Sequence, residues 1–213
     1  MSAHDAQQSD SRILEIANLL MERLAISDFK PIRISWTGYV LGGLGTFTGP
    51  RLKLAPPGLC LFTWDEVILP ASLKGRLEPE EWKPLLASGL IYDAKLKFKK
   101  TLGIAATAVA SIILNIALIT ILTLFDPKGA VYFVIPAFLG SVVCLIFGIP
   151  FVNPFLRSLR LESDKLATQL VGKESLLRVL ERINSLELED KDPGGRLSRR
   201  PSLEERIHAM RHL

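Results

Sequence analysis

Thr101–Phe125 reads TLGIAATAVASIILNIALITILTLF and contains no Asp, Glu, Lys or Arg. At ~1.5 Å per residue a helix over this stretch is roughly 37 Å long, against a hydrocarbon core of ~30 Å. Asp126, Pro127, Lys128 and Gly129 follow it with turn chemistry. A second uncharged stretch then runs from Gly129 to Leu156. It contains Pro136 and Pro150, which damage a helix in water but are tolerated in a membrane span whose neighbours satisfy the freed carbonyls. The expected element is a two-helix transmembrane hairpin over 101–152, with spans at about 101–125 and 130–152. Asn115 falls near the depth of Gly140 and Ser141, where small residues would permit close approach and an amide bond across the pair.

The rest of the chain has a different composition. Of 213 residues 48% are hydrophobic, and the mean hydropathy is +0.28. All 26 basic and 22 acidic residues lie outside the two uncharged stretches. This division excludes disordered, collagen-like and disulfide-rich classes. Lys95, Lys97, Lys99 and Lys100 precede the first stretch, and Arg157, Arg160 and Lys165 follow the second, whereas the turn between them offers Lys128. That asymmetry implies a cell-membrane location with two spans and both termini cytoplasmic. The expected partner is then a lipid bilayer, with the lysines of KLKFKK facing anionic headgroups. The net charge of +4 is modest, and no basic-aromatic interleaving points to nucleic acid. Cys60 and Cys144 make no CxxC pair, and no secretory signal is expected in the first thirty residues.

The charged parts carry helical and extended patterns. Ser11 to about Leu24 places Ile13, Ile16, Leu20 and Leu24 on one helical stripe. From Phe29 to Pro70 the runs PIRISW, VLGGLG, RLKLA and LCLF read as short strands. Gly42, Gly43, Gly45 and Gly49 suit a bent sheet, since no phosphate-loop spacing follows them. Glu78-Pro79-Glu80-Glu81 has proline and acidic residues where a helix starts, and Trp82, Leu85, Leu86, Leu90 and Ile91 form the apolar face that follows. Helices are expected over Arg157–Val171, ended by Gly172, and over Ser175 to about Leu188. After a polar loop, Ser202 and Glu205 have capping-box spacing for a last helix with Leu203, Ile207 and Met210 on its stripe.

The order of these pieces resembles a known family. VILPASLKGRLEPEEWKPLLASGLIYD precedes the hairpin, and RLESDKLATQLVG and RRPSLEERIHAM follow it. Together they resemble the HtpX-like membrane zinc metallopeptidases over about Ile13 to Met210. There, an HExxH helix precedes the hairpin, an ExxAD helix follows it, and the end reads HPxxxxRI. The resemblance implies an α+β, mainly helical fold: a zincin-like cytoplasmic domain with a small glycine-rich sheet, interrupted by the hairpin. Residues 1–10 would be a disordered tail, 11–100 the first part of the domain and 153–213 the second, with a polar loop at 189–201.

The residues that perform the family's chemistry are missing. A zinc peptidase needs two histidines one helical turn apart, a neighbouring Glu to take a proton from metal-bound water, and a third ligand. Ser88, Gly89 and Tyr92 stand where His, Glu and His belong. Arg160 takes the position of the Glu ligand, and Asp164 that of a residue orienting the ligands. Arg160 and Asp164 have the i, i+4 spacing of a helix-surface ion pair. No GxSxG elbow offers serine catalysis instead. The sequence therefore implies a degenerate site, a pseudoenzyme with no catalytic residue, cofactor or metal.

Its role would be binding or regulation, with a membrane-protein segment or a related protease as partner. One alternative is an active zinc endopeptidase using His208, His212 and Glu162 as unconventional ligands, of which the two histidines are i, i+4 on the last helix. Another is a structural membrane anchor.

Overall fold

The computed structural model describes residues 3–41, 52–54, 58, 60–125, 134–186 and 200–213. The elements in order are α1 (Ala3–Arg23), β1 (Arg33–Thr37), β2 (Tyr39–Leu41), β3 (Leu52–Leu54), β4 (Leu61–Phe62), β5 (Glu66–Pro70), α2 (Trp82–Leu90), α3 (Lys97–Phe125), α4 (Val134–Val171), α5 (Lys173–Ser185) and α6 (Leu203–Arg211). Two compact units contain them. The first comprises Met1–Leu96, Arg160–Pro193 and Pro201–Leu213; the second comprises Lys97–Leu159 and Gly194–Arg200.

In the first unit a small sheet has the order β1-β5-β4. β1 runs parallel to β5, with Ile34 opposite Val67 and Trp36 opposite Leu69, and β4 runs antiparallel on the other side. The period-two alternation of a strand sends Val67 and Leu69 of β5 to the same face, where both are fully buried. β2 and β3 form a separate antiparallel pair. Gly42, Gly43, Gly45 and Gly49, and with them the glycine-relieved bend, lie outside the described residues.

The amphipathic stripes explain how the helices close over this sheet. Ile13, Ile16 and Leu20 of α1 and Leu24 just after it are buried, joined by Ala17 and Met21. At ~25 cal/mol per Å² of apolar surface, each large aliphatic side chain buried there contributes ~1.5–3 kcal/mol before entropy is counted. The helix begins at Ala3, so the tail expected to be disordered over 1–10 is largely helical. No Gly or Pro interrupts it, and Asp10 accepts a 3.1 Å hydrogen bond from the Trp36 indole, which ties this early turn to β1. Trp36 in turn meets Trp82 edge to face at 5.6 Å, the arrangement favoured by ring quadrupoles.

Glu78 and Glu81 form a reciprocal capping box around Pro79, and a short 3₁₀ turn leads into α2. Trp82, Leu85, Leu86, Leu90 and Ile91 are all buried, as the apolar face requires. A π-helical turn over Ile91–Lys95 then separates α2 from α3. Gly172, with φ of +89°, breaks the chain between α4 and α5 in a conformation that side chains with a Cβ rarely adopt. On α5, Leu176, Val179, Leu180 and Ile183 are buried, and α6, whose Leu203, Ile207 and Met210 are also buried, packs on it.

The second unit contains α3 and the first part of α4. Gly103 of α3 lies against the ring of Phe155, which a Cβ at that position would strike. Ile112, Ile113, Leu114 and Ile116 of α3 are each about 60% exposed.

Among the described residues no helix is long and apolar enough to cross a membrane. This finding corrects the two-span transmembrane hairpin, the fold class built around it and the two-span cell-membrane location with cytoplasmic termini. The described chain is mostly helical, with a small three-stranded sheet and a two-stranded pair. An uncharged run in sequence does not bound an element. α3 opens with Lys97, Lys99 and Lys100, and α4 continues unbroken past Val152 through Arg157, Arg160, Glu162, Asp164 and Lys165. The connecting turn at 126–129, the side chains of Asn115, Gly140 and Ser141, and most of the polar loop at 189–201 lie outside the described residues.

Candidate functional site

Three helices of the first unit converge on one buried carboxylate. α2 supplies Ser88, α4 supplies Asp164, and α6 supplies Arg206. The Asp164 side chain is 0% exposed and that of Arg206 is 5% exposed. Arg206 donates from Nε to Asp164 Oδ2 at 2.7 Å and from Nη2 to Oδ1 at 2.8 Å, a two-pronged match of guanidinium to carboxylate. Ser88 Oγ donates to Oδ1 at 2.5 Å. Ser163 Oγ lies 3.4 Å from Ser88 Oγ and donates to the Arg160 carbonyl at 2.6 Å.

Opposed forces set the charge of Asp164. Burial pushes its pKa up, but the charge and hydrogen bonds of Arg206, together with Arg160 and Ser88, hold it below the ordinary carboxylate value. Asp164 therefore stays ionised. Arg160 sits with its guanidinium carbon 5.0 Å from the centre of the Tyr92 ring, a cation–π contact. Loss of water and then the like charge of Arg206 lower the Arg160 pKa, while Asp164 acts in the opposite direction. Both arginines thus share the field of Asp164, and Arg206 makes the direct bonds.

The floor is crowded. A Cβ on Gly89 would come within 2.9 Å of the Phe62 ring and 3.2 Å of the Cys60 carbonyl oxygen. Gly58 lies against the Arg206 guanidinium, so closely that a Cβ there would displace Nη1. Cys60 is wholly buried, and desolvation pushes its thiol up to about 12. Such a thiol is not a nucleophile at neutral pH.

The structure brings together Ser88 with Asp164, and Tyr92 with Arg160, from the degenerate positions named in the sequence. Gly89 faces β4 and the Cys60 backbone. Asp164 requires a correction: its expected surface pair with Arg160 is replaced by a buried pair with Arg206, 42 residues away. Arg206 is the residue the sequence reading missed. Two signals pointed to it: it falls in the RI of the terminal motif, and it interrupts the Leu203, Ile207 and Met210 stripe with a charge that must then be buried.

Zinc, the metal implied by the resemblance, does not fit this centre. The Asp164 oxygens are engaged by Arg206 and Ser88, and two guanidiniums oppose a dication. His208 and His212 are neighbours on the exposed side of α6, with ring centres 4.4 Å apart. Among the described residues no three His, Cys, Asp or Glu side chains gather as a metal site, so Glu162 does not complete a set with that pair.

No family model, curated protein or solved structure matches this chain. The HtpX-like, metallopeptidase and zincin labels therefore have no support from known families, and the membrane label fails on helix length and hydropathy among the described residues.

Proposed function

We propose that this chain acts by binding and not by catalysis, and that Ser88, Asp164 and Arg206 serve to fasten three helices. The carrying observation is the engagement of Asp164: each of its oxygens accepts from Arg206, and one also accepts from Ser88. A general base needs a free lone pair within reach of substrate and a pKa near the working pH. Asp164 is buried, ion-paired and held in the opposite direction. Ser88 donates to a carboxylate that is itself committed, and the thiol of Cys60 is suppressed.

The test is elemental analysis of the purified full chain, combined with cleavage of an unfolded protein substrate with and without chelator. The expected result is no chelator-sensitive cleavage. Cleavage that disappears with chelator and returns with zinc, and that survives His208→Ala with His212→Ala, would overturn the reading by locating a catalytic metal in the core.

A further inference from the structure

We propose that His208 and His212 form a two-point chelate for a divalent transition metal, with a bite suited to copper or nickel. The site is separate from the buried centre and does not rest on the binding role proposed above. His208 lies on α6 and His212, four residues later, caps its C-terminus; both are exposed, with ring centres 4.4 Å apart and planes inclined at 49°. With metal–nitrogen bonds of ~2.0–2.1 Å along the ring lone pairs, ring centres stand ~4.5 Å apart for a right-angle bite and ~5.2 Å for a tetrahedral one. The observed separation is close to the right-angle value, which the two exposed rings reach by turning a nitrogen of each toward one metal. Square-planar and tetragonal sites use that angle, and imidazole nitrogen in such sites selects Cu(II) or Ni(II).

The surroundings are close to neutral, the charges of Glu204 and Glu181 balancing those of Arg211 and Lys173. Glu204 is exposed one turn before His208 on the same stripe and adds negative charge without being a third ligand among the described residues. The positive charge of Arg211 is offset by Glu181 at 2.7 Å, and Lys173 donates to the Arg211 carbonyl at 3.3 Å. The site also has a structural consequence. His208 and His212 span the last turn of α6, whose closing bond, from His212 N to the His208 carbonyl, is 3.3 Å long. A metal held by both rings pins that turn, and α6 is the helix that carries Arg206 to Asp164.

Only His4 competes as an imidazole elsewhere in the chain. The experiment therefore uses the untagged full chain carrying His4→Ala, titrated calorimetrically with Cu²⁺, Ni²⁺ and Zn²⁺, with the Cu(II) paramagnetic resonance spectrum as a second readout. Expected are one Cu²⁺ per chain, affinity in the order copper, nickel, zinc, nitrogen splittings from two imidazoles, and a higher melting temperature with copper. His208→Ala and His212→Ala should each weaken Cu²⁺ binding at least tenfold and remove the thermal shift. If either single variant binds copper as tightly as its parent, or the spectrum reports a single nitrogen, the chelate is refuted. Both side chains are exposed, so circular dichroism will show the variants folded.

Discussion

Replacing Arg206 with alanine should be among the most damaging single changes in this protein. The substitution removes two charge-assisted hydrogen bonds, of 2.7 and 2.8 Å, from a carboxylate that is 0% exposed. Breaking a buried pair from one side costs ~3–5 kcal/mol, because the stranded charge loses its partner without regaining water. Ser88 and Arg160 still face Asp164, which places the expected loss near ~3 kcal/mol, the lower end of that range. Urea unfolding followed by tryptophan fluorescence reads it directly, since Trp36, Trp64 and Trp82 all lie in the unit that holds the pair.

Two controls sharpen this measurement. Asp164→Leu with Arg206→Met removes both charges and should cost less than Arg206→Ala alone. The pH dependence has a definite sign. The native Asp164 pKa lies below its unfolded value of ~3.9, so the wild-type contribution is complete above that pH and is lost as pH falls through the native pKa. The gap between wild type and Arg206→Ala should therefore narrow on acidification below about pH 4. A loss under ~1 kcal/mol at neutral pH, typical of an exposed pair, would refute the buried-centre argument.

Other outcomes follow from the same geometry. Gly58→Ala should destabilise by ~1–3 kcal/mol in urea by forcing the Arg206 guanidinium off Asp164, and the penalty should largely vanish in an Arg206→Met background. Gly89→Ala should cost a similar ~1–3 kcal/mol irrespective of Arg206, because its Cβ meets the Phe62 ring and the Cys60 backbone. Ser88→Ala should cost ~1–3 kcal/mol by removing a donor from a buried carboxylate, whereas a nucleophilic serine would show its loss in activity with stability intact. In a Cys144→Ser chain, Cys60 should react with a thiol reagent at pH 8 only as fast as the unit opens, since its thiol is pushed up to about 12. Rapid labelling under native conditions would contradict its burial.

Local features of the fold were legible because their causes are local. The α1 stripe, the apolar face of α2 and the Ser202 cap, which accepts from the Glu205 amide at 3.2 Å, each depend on residues within a few positions of one another. The centre was only half legible. Ser88, Tyr92, Arg160 and Asp164 were marked as positions, yet the i, i+4 spacing of Arg160 and Asp164 suggested the wrong partner. Spacing along one helix cannot reveal that a third helix delivers a guanidinium to the same carboxylate. The uncharged stretches misled for a related reason: the absence of charge sets the cost of dehydrating a segment but does not say where its helix begins or ends. The π-helical turn at Ile91–Lys95 had no signal in residue type.

The chain position of Arg206 has a consequence for biosynthesis. Ser88, Arg160 and Asp164 are made long before it, so a growing polypeptide already holding α2 and α4 has the carboxylate and a nearby cation but not the guanidinium that bonds both oxygens. Closure of the centre therefore waits for α6 to be made.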